Sequence, residues 1–170
     1  MKIRKRKDNV IIEEVKDFLL SQTLECGQCF RFDKVADEDY VIVANNTLLR
    51  LKQEKDTLIF YNTSKEEVVE FWVHYFDLDK DYRQIKNFLR RKDEKLRPII
   101  KDKWGIRILN QDFHEALITF IISQNKQIPH IQTIVNDLSE KYGKYLGTVD
   151  GKKYYAFPTI NKLGTLTEKQ

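Results

Sequence analysis

The chain has 170 residues, of which 41% are hydrophobic and 12% aromatic, and a formal net charge of +4. That length supports one ordinary domain, or a small domain with part of another, and the apolar content suffices for a packed core. No run approaches the roughly 18 apolar residues of a membrane-spanning helix, and the basic start Met1-Lys2-Ile3-Arg4-Lys5-Arg6-Lys7 lacks the apolar centre of a secretory signal, so a soluble, intracellular protein is expected.

The first hundred residues read as sheet followed by helices. Val10-Ile11-Ile12 is short and rich in branched side chains, and the stretch from Phe30 to Lys34 alternates. Tyr40 to Ala44 is a strand closed by the turn pair Asn45-Asn46, and Thr47 to Leu51 follows at once. Thr57 to Tyr61 comes after the polar turn Lys55-Asp56. Sequential strands joined by short polar turns predict an antiparallel meander. Glu13 to Leu20 fits either a short helix or a continued strand.

Ser64-Lys65-Glu66-Glu67 has the form of a capping box, with a hydroxyl for the third amide and a glutamate reaching back. It predicts a helix with Val68, Phe71, Trp72 and Tyr75 on one side. A second helix is expected from Asp79 to Lys92, with Tyr82, Ile85, Phe88 and Leu89 at helical spacing. A third covers Glu94 to Lys103, where Pro98 must occupy the first turn or make a kink. Phe71, Trp72, Tyr75 and Trp104 are assigned to the core. The basic residues of the second helix, Arg83, Lys86, Arg90 and Arg91, read as a solvated face or as phosphate contacts.

After Trp104-Gly105 the texture changes. Asp112 followed by Glu115 caps another helix, Ala116 to Ile122, which is apolar nearly all round and so needs cover on every side. Ser123 to Gln127 interrupts it. Ile128-Pro129 then opens an amphipathic helix with the stripe Ile128, Ile131, Ile134, Val135, Leu138 and Tyr142, stopped at Gly143. A last short helical piece follows Tyr155-Ala156-Phe157-Pro158. The two cysteines, Cys26 and Cys29, have redox spacing, but the residues after them alternate like a strand and no second pair completes a zinc site. They read as packing residues at the start of a strand, with thiol redox or metal chemistry as the competing reading. No metal site is expected.

Gly27-Gln28-Cys29-Phe30-Arg31-Phe32 resembles the Gly-Gln-x-Phe-Arg-Trp stretch of 8-oxoguanine DNA glycosylases. The resemblance continues through Gly105-Ile106-Arg107-Ile108-Leu109, Gln111-Asp112, Phe120-Ile121-Ile122-Ser123-Gln124-Asn125 and Tyr155-Ala156-Phe157-Pro158. It implies an α+β fold. An N-terminal antiparallel sheet domain similar to the TATA-binding protein, with helices, would occupy residues 1–104. The first helices of an all-helical glycosylase domain would occupy residues 105–170. It further implies base-excision repair: excision of 8-oxoguanine from duplex DNA and strand cleavage by β-elimination, with no cofactor and, in the intact enzyme, as a monomer in the nucleoid or the nucleus.

Residue by residue, the resemblance makes the Gly27 carbonyl the acceptor for N7–H of the damaged base, which undamaged guanine lacks. The plain alternative for Gly27 is a tight turn. Asn125 matches the asparagine that fills the gap left by the flipped base and meets the orphan cytosine, where the plain alternative is an ordinary loop residue. His130 stands where relatives carry an arginine, and a shorter, titratable donor predicts looser discrimination of the opposite base. Lys126 and Gln127 replace asparagines in the same loop, with Lys126 a phosphate contact or plain surface. The family's nucleophilic lysine and its aspartate match nothing in these 170 residues, so no catalytic residue is assigned and both are expected beyond Gln170. A non-catalytic DNA-binding module on the same sheet is the alternative, marked by equal affinity for damaged and undamaged DNA.

Overall fold

A computed structural model describes residues 1–167. Six antiparallel strands form one sheet in the order β1-β2-β6-β5-β4-β3: β1 (Lys2–Arg6), β2 (Asn9–Glu13), β3 (Phe32–Ala36), β4 (Asp39–Ala44), β5 (Thr47–Glu54) and β6 (Thr57–Tyr61). The meander β3 to β6 is the one the polar turns predict, and Asn45 and Asn46 both take positive φ in a two-residue hairpin. The outer strand β1 lies in the basic start, where only Ile3 is apolar and no strand was expected. Its lysines and arginines line an edge, where charge suppresses pairing with other chains.

Alternation places Val10, Ile12, Tyr40, Ile42, Leu49, Leu51, Leu58 and Phe60 in one core. Over them lies a helical run: α2 (Lys65–Glu67), a π-helical stretch Val68–Trp72 and α3 (Val73–Tyr75). Val68, Trp72 and Phe76 are fully buried there, each contributing roughly 1.5–3 kcal/mol. The Ser64 hydroxyl caps the run by accepting from the Glu67 amide at 3.0 Å. The reciprocal arm of a capping box does not form with Glu67, whose carboxylate accepts from Trp72 Nε1 at 2.9 Å.

Glu13 to Leu20 is mostly loop. The buried Gln53 side chain holds it across the sheet, accepting from Leu20 N at 2.7 Å and donating to the Phe18 carbonyl at 3.0 Å. A helix unrecognised in the sequence, α1 (Leu20–Leu24), follows and carries the chain towards β3 at the opposite edge. β3 begins at Phe32, two residues later than expected.

The second layer is α4 (Tyr82–Lys92) and α5 (Leu96–Asp102), then α6 (Phe113–Ser123) and α7 (Ile128–Tyr142). The apolar stripe of α4 is buried only at Tyr82, while Ile85, Phe88 and Leu89 stay exposed. Trp104, assigned to the core, is 44% exposed, because its neighbour Gly105 takes the contact with α1. α6 is covered on one side only. Ile118 and Ile122 pack with Phe30, Ile131, Val135 and Phe157 in a second core, while Phe113, Leu117, Phe120 and Ile121 face outward.

A hairpin not anticipated from the sequence, β7 (Tyr145–Val149) and β8 (Lys152–Tyr155), turns at Asp150-Gly151, both at positive φ. It is tied to the sheet by Arg50–Asp150 at 3.4 Å and Lys152–Asp33 at 2.6 Å, and the inner strand β4 is buried along its whole length. The short α8 (Ile160–Gly164) is the last element described. No helix among the described residues is long and apolar enough to cross a membrane.

Candidate functional site

Gly27 lies in the turn that leaves α1, with φ at +88°, a conformation that glycine adopts without steric cost. The next residue fixes that turn. Gln28 Nε2 donates to the carbonyls of Thr23 and Arg107, each at 2.8 Å, and its Oε1 accepts from Leu109 N at 2.9 Å. Gln111 Nε2 returns a bond to the Gln28 carbonyl at 2.6 Å. One side chain thus ties the end of α1 to the segment that leads into α6. No hydrogen bond reaches the Gly27 carbonyl among the described residues. That leaves an acceptor on a rigid turn, which is the property a recognition group needs.

The second motif meets the first at the start of α7. A Cβ at Gly27 would sit 3.5 Å from Ile128 Cδ1. Ile128 is the first residue of α7 and follows the loop of Asn125, Lys126 and Gln127. All three loop residues and His130 are exposed, and Asn125 holds φ +67°, an αL value that asparagine tolerates better than most residues. The fold therefore brings the two sequence blocks to one edge of the molecule, although about a hundred residues of chain separate them.

Behind this edge sits a buried ion pair between Arg31 and Glu115, of which the sequence suggested a role only for Glu115, as a capping glutamate. Arg31 Nη1 lies 3.6 Å from Glu115 Oε2, and Arg31 Nη2 donates to the Tyr155 carbonyl. The pair is longer than a hydrogen bond, and Arg31 Nε and Nη1 lack a hydrogen-bond acceptor among the described residues. Burial pushes the Glu115 carboxyl up to about 6, and Arg31 pulls it down less strongly. Beside it, His114 Nε2 lies 3.1 Å from the Pro158 carbonyl and its ring meets Phe157 edge-on. The Phe-Arg and Phe-Pro segments thus share one structural function, seating α6. The signal was present in the motif, as a charged residue in an otherwise apolar strand start.

The cysteines do not form a disulfide. Cys26 is exposed, whereas Cys29 is buried with its thiol pushed far up by desolvation. Among the described residues no group of three or more His, Cys, Asp or Glu is placed to hold a metal ion. With the native protein, a maleimide should label Cys26 alone. Labelling of Cys29 at a comparable rate by intact-mass analysis would contradict its burial.

The family model for the 8-oxoguanine DNA glycosylase N-terminal domain matches residues 10–117. The chain belongs to this glycosylase family. Among solved structures, it is similar to the Clostridium acetobutylicum 8-oxoguanine glycosylase/lyase bound to double-stranded DNA with cytosine opposite 8-oxoguanine. That match has a TM-score of 0.94 and 41% identity over 99% of this chain and 58% of the other. The apo form of the same enzyme matches with a TM-score of 0.92 and 42% identity, again over 58% of that chain. The N-glycosylase/DNA lyase of Arabidopsis thaliana is 26% identical over 91% of this chain and 43% of its own length. The corresponding Saccharomyces cerevisiae enzyme is 26% identical over 86% and 42%. This member of the 8-oxoguanine glycosylase family therefore spans less than half of the length of the Arabidopsis and yeast relatives, and its α+β fold is the family's own.

Proposed function

We propose that this chain carries the lesion-recognition and orphan-base elements of an 8-oxoguanine DNA glycosylase with AP lyase activity, acting in base-excision repair inside the cell. The observation that carries the reading is the junction of Gly27 with the start of α7. It sets an unpartnered carbonyl on a rigid turn beside the Asn125 loop. In this reading the damaged guanine leaves the duplex, its N7–H donates to the Gly27 carbonyl, and Asn125 enters the space left behind. Lys126 and Gln127 flank that entry, and His130, exposed on the first turn of α7, faces the base opposite. A histidine there relaxes the preference for cytosine, because imidazole reaches less far than guanidinium and donates from both nitrogens only when protonated.

Residues 1–104 form the sheet domain in this reading, and 105–170 open the helical one. The outward row Phe113, Leu117, Phe120 and Ile121 suits cover by further helices of such a domain. The nucleophilic lysine that attacks C1′ and forms a Schiff base, and the aspartate that stabilises the cationic sugar, match no position here. The 170-residue chain by itself is therefore inactive in both steps, and the partner of the intact monomer is duplex DNA with oxidised guanine. Borohydride reduction in the presence of an 8-oxoguanine duplex should trap no covalent adduct with this chain. A trapped adduct would place a nucleophile within these residues. Binding should favour the damaged duplex over the undamaged one, whereas equal affinity would leave a non-catalytic DNA-binding module.

A further inference from the structure

Positive charge is concentrated in two stretches of this protein, the basic β1 edge from Lys2 to Lys7 and residues 79–103. Residues 79–103 contain ten Lys or Arg against five Asp or Glu, while the whole chain has a surplus of only +4. Lys2 to Lys7 holds five Lys or Arg and no Asp or Glu, so the chain outside these two stretches is acidic, and the β1 edge and the α4–α5 pair carry the positive field. These two helices border an open groove of about 590 Å³ lined by Arg83, Lys86, Arg90, Arg97, Lys101 and Trp104, among others, with Asp17 its one acidic lining residue.

Some of those cations are committed within the fold. Lys86 contacts Asp17 at 3.2 Å and donates to the Trp104 carbonyl. Arg97 bonds Glu94 at 3.2 Å and the Arg90 carbonyl at 3.2 Å, bracing α5 on α4. Arg90 and Lys101, one from each helix, are exposed and have no carboxylate partner among the described residues. Trp104, 44% exposed, lines the same groove, with the Lys86 ammonium 6.0 Å from its ring centroid. A half-exposed indole beside unpaired cations joins a stacking surface to phosphate ligands, the combination by which proteins hold unpaired nucleotides. A duplex fits less well, because its base faces are already stacked. None of the groove residues belongs to the Gly27 turn or the Asn125 loop.

We propose that the α4–α5 groove is a second nucleic-acid site, which takes single-stranded DNA or RNA backbone on Arg90 and Lys101 and stacks a base on Trp104. The site is independent of lesion recognition, so the probe is an undamaged, fluorescein-labelled oligothymidylate followed by anisotropy across a salt series. Arg90→Glu/Lys101→Glu should weaken binding at least about tenfold near 50 mM salt. It should also flatten the slope of log affinity against log salt by about 1.4, from roughly 0.7 per phosphate contact on a single strand. Trp104→Ala should weaken binding about tenfold with little change of slope, and Trp104→Phe should restore most of it. Duplex of equal length should compete far less well than single strand. All three side chains are exposed, so the variants should keep the parent's thermal midpoint. Unchanged affinity and slope in the double variant would overturn the proposal, as would a duplex that competes equally while Trp104→Ala has no effect.

Discussion

Arg31→Met is expected to lower the unfolding free energy by about 3–5 kcal/mol at pH 7.5 and by distinctly less at pH 5. The figure is the usual cost of removing one partner from a buried ion pair, where the survivor keeps its desolvation penalty and loses its compensation. The survivor here is Glu115, whose carboxyl burial already pushes up to about 6. A carboxyl raised above its unfolded value holds its proton more tightly in the folded state. Its contribution to stability is therefore complete below the unfolded value of 4.5 and is lost as pH rises through about 6. Removing Arg31 takes away the pull that lowers this carboxyl, so at neutral pH the variant must either bury an unpaired charge or take up a proton. At pH 5 Glu115 is largely protonated in the fold and the penalty shrinks. Arg31→Met/Glu115→Gln should recover more than half of the loss, since no buried charge is left unpaired. Equal destabilisation at both pH values in denaturant melts would place the cost in the lost bond to the Tyr155 carbonyl instead.

Gly105→Ala should cost more than about 3 kcal/mol, and it should disturb the edge formed by the Gly27 turn and the Asn125 loop from a distance. A Cβ there would lie 2.2 Å from Leu19 Cβ and 2.6 Å from Leu19 N, well inside contact distance, and the obstructing atoms are a backbone segment and the first atom of a side chain. Neither can swing aside. The position is also a hydrogen-bonding hub. The Gly105 carbonyl accepts from Leu19 N at 2.8 Å and from the Thr23 hydroxyl at 3.1 Å, and its amide donates to Gln22 Oε1 at 2.8 Å. Displacing it moves α1, and α1 carries the Gly27 turn, so overpacking strain appears as lost DNA affinity as well as lost stability. Gly164→Ala is the matched control. Its Cβ meets nothing within 4 Å, and alanine in a helical turn should be neutral or stabilising by up to about 1 kcal/mol. Similar losses at both positions in thermal melts would remove the steric explanation for Gly105.

The meander from β3 to β6 was readable because each strand alternates and each turn is polar, so local pattern and burial agree. β1 was unreadable because it is held by pairing with β2, which a five-residue basic segment does not show by itself. The β7–β8 hairpin did carry a local sign, Asp150-Gly151, which is a strong hairpin pair. Its flanking strands, Tyr145 to Val149 and Lys152 to Tyr155, are too polar and too short to alternate clearly. For α4 the helical period predicted the helix, and the exposure of most of its apolar stripe is set by packing. Periodicity marks an apolar face without saying what covers it, and here Ile85 and Phe88 stay exposed, with the Lys92 ammonium 5.6 Å from the Phe88 ring centroid.

At the site, Gly27 and Asn125 were nameable only through family resemblance. Each taken alone is an ordinary turn residue. The sequence could not show that Gln28 uses both amide hydrogens and its oxygen to bind Thr23, Arg107 and Leu109, because those partners lie across tertiary space. The spatial junction of Gly27 with Ile128 likewise belongs to packing.

In the proposed function the Gly27 carbonyl reads a hydrogen at N7 of the damaged base. The most direct test of that role compares the affinity of this chain for three duplexes that differ at one base: 8-oxoguanine, guanine, and 8-oxo-7-deazaguanine. The last keeps the oxidised carbonyl and replaces the N7–H donor by C–H. If the carbonyl is the reader, 8-oxoguanine should bind more tightly than both others by a factor worth about 1–3 kcal/mol, the cost of leaving one buried partner unpaired. Binding of the 7-deaza analogue as tightly as 8-oxoguanine would contradict the assignment of Gly27.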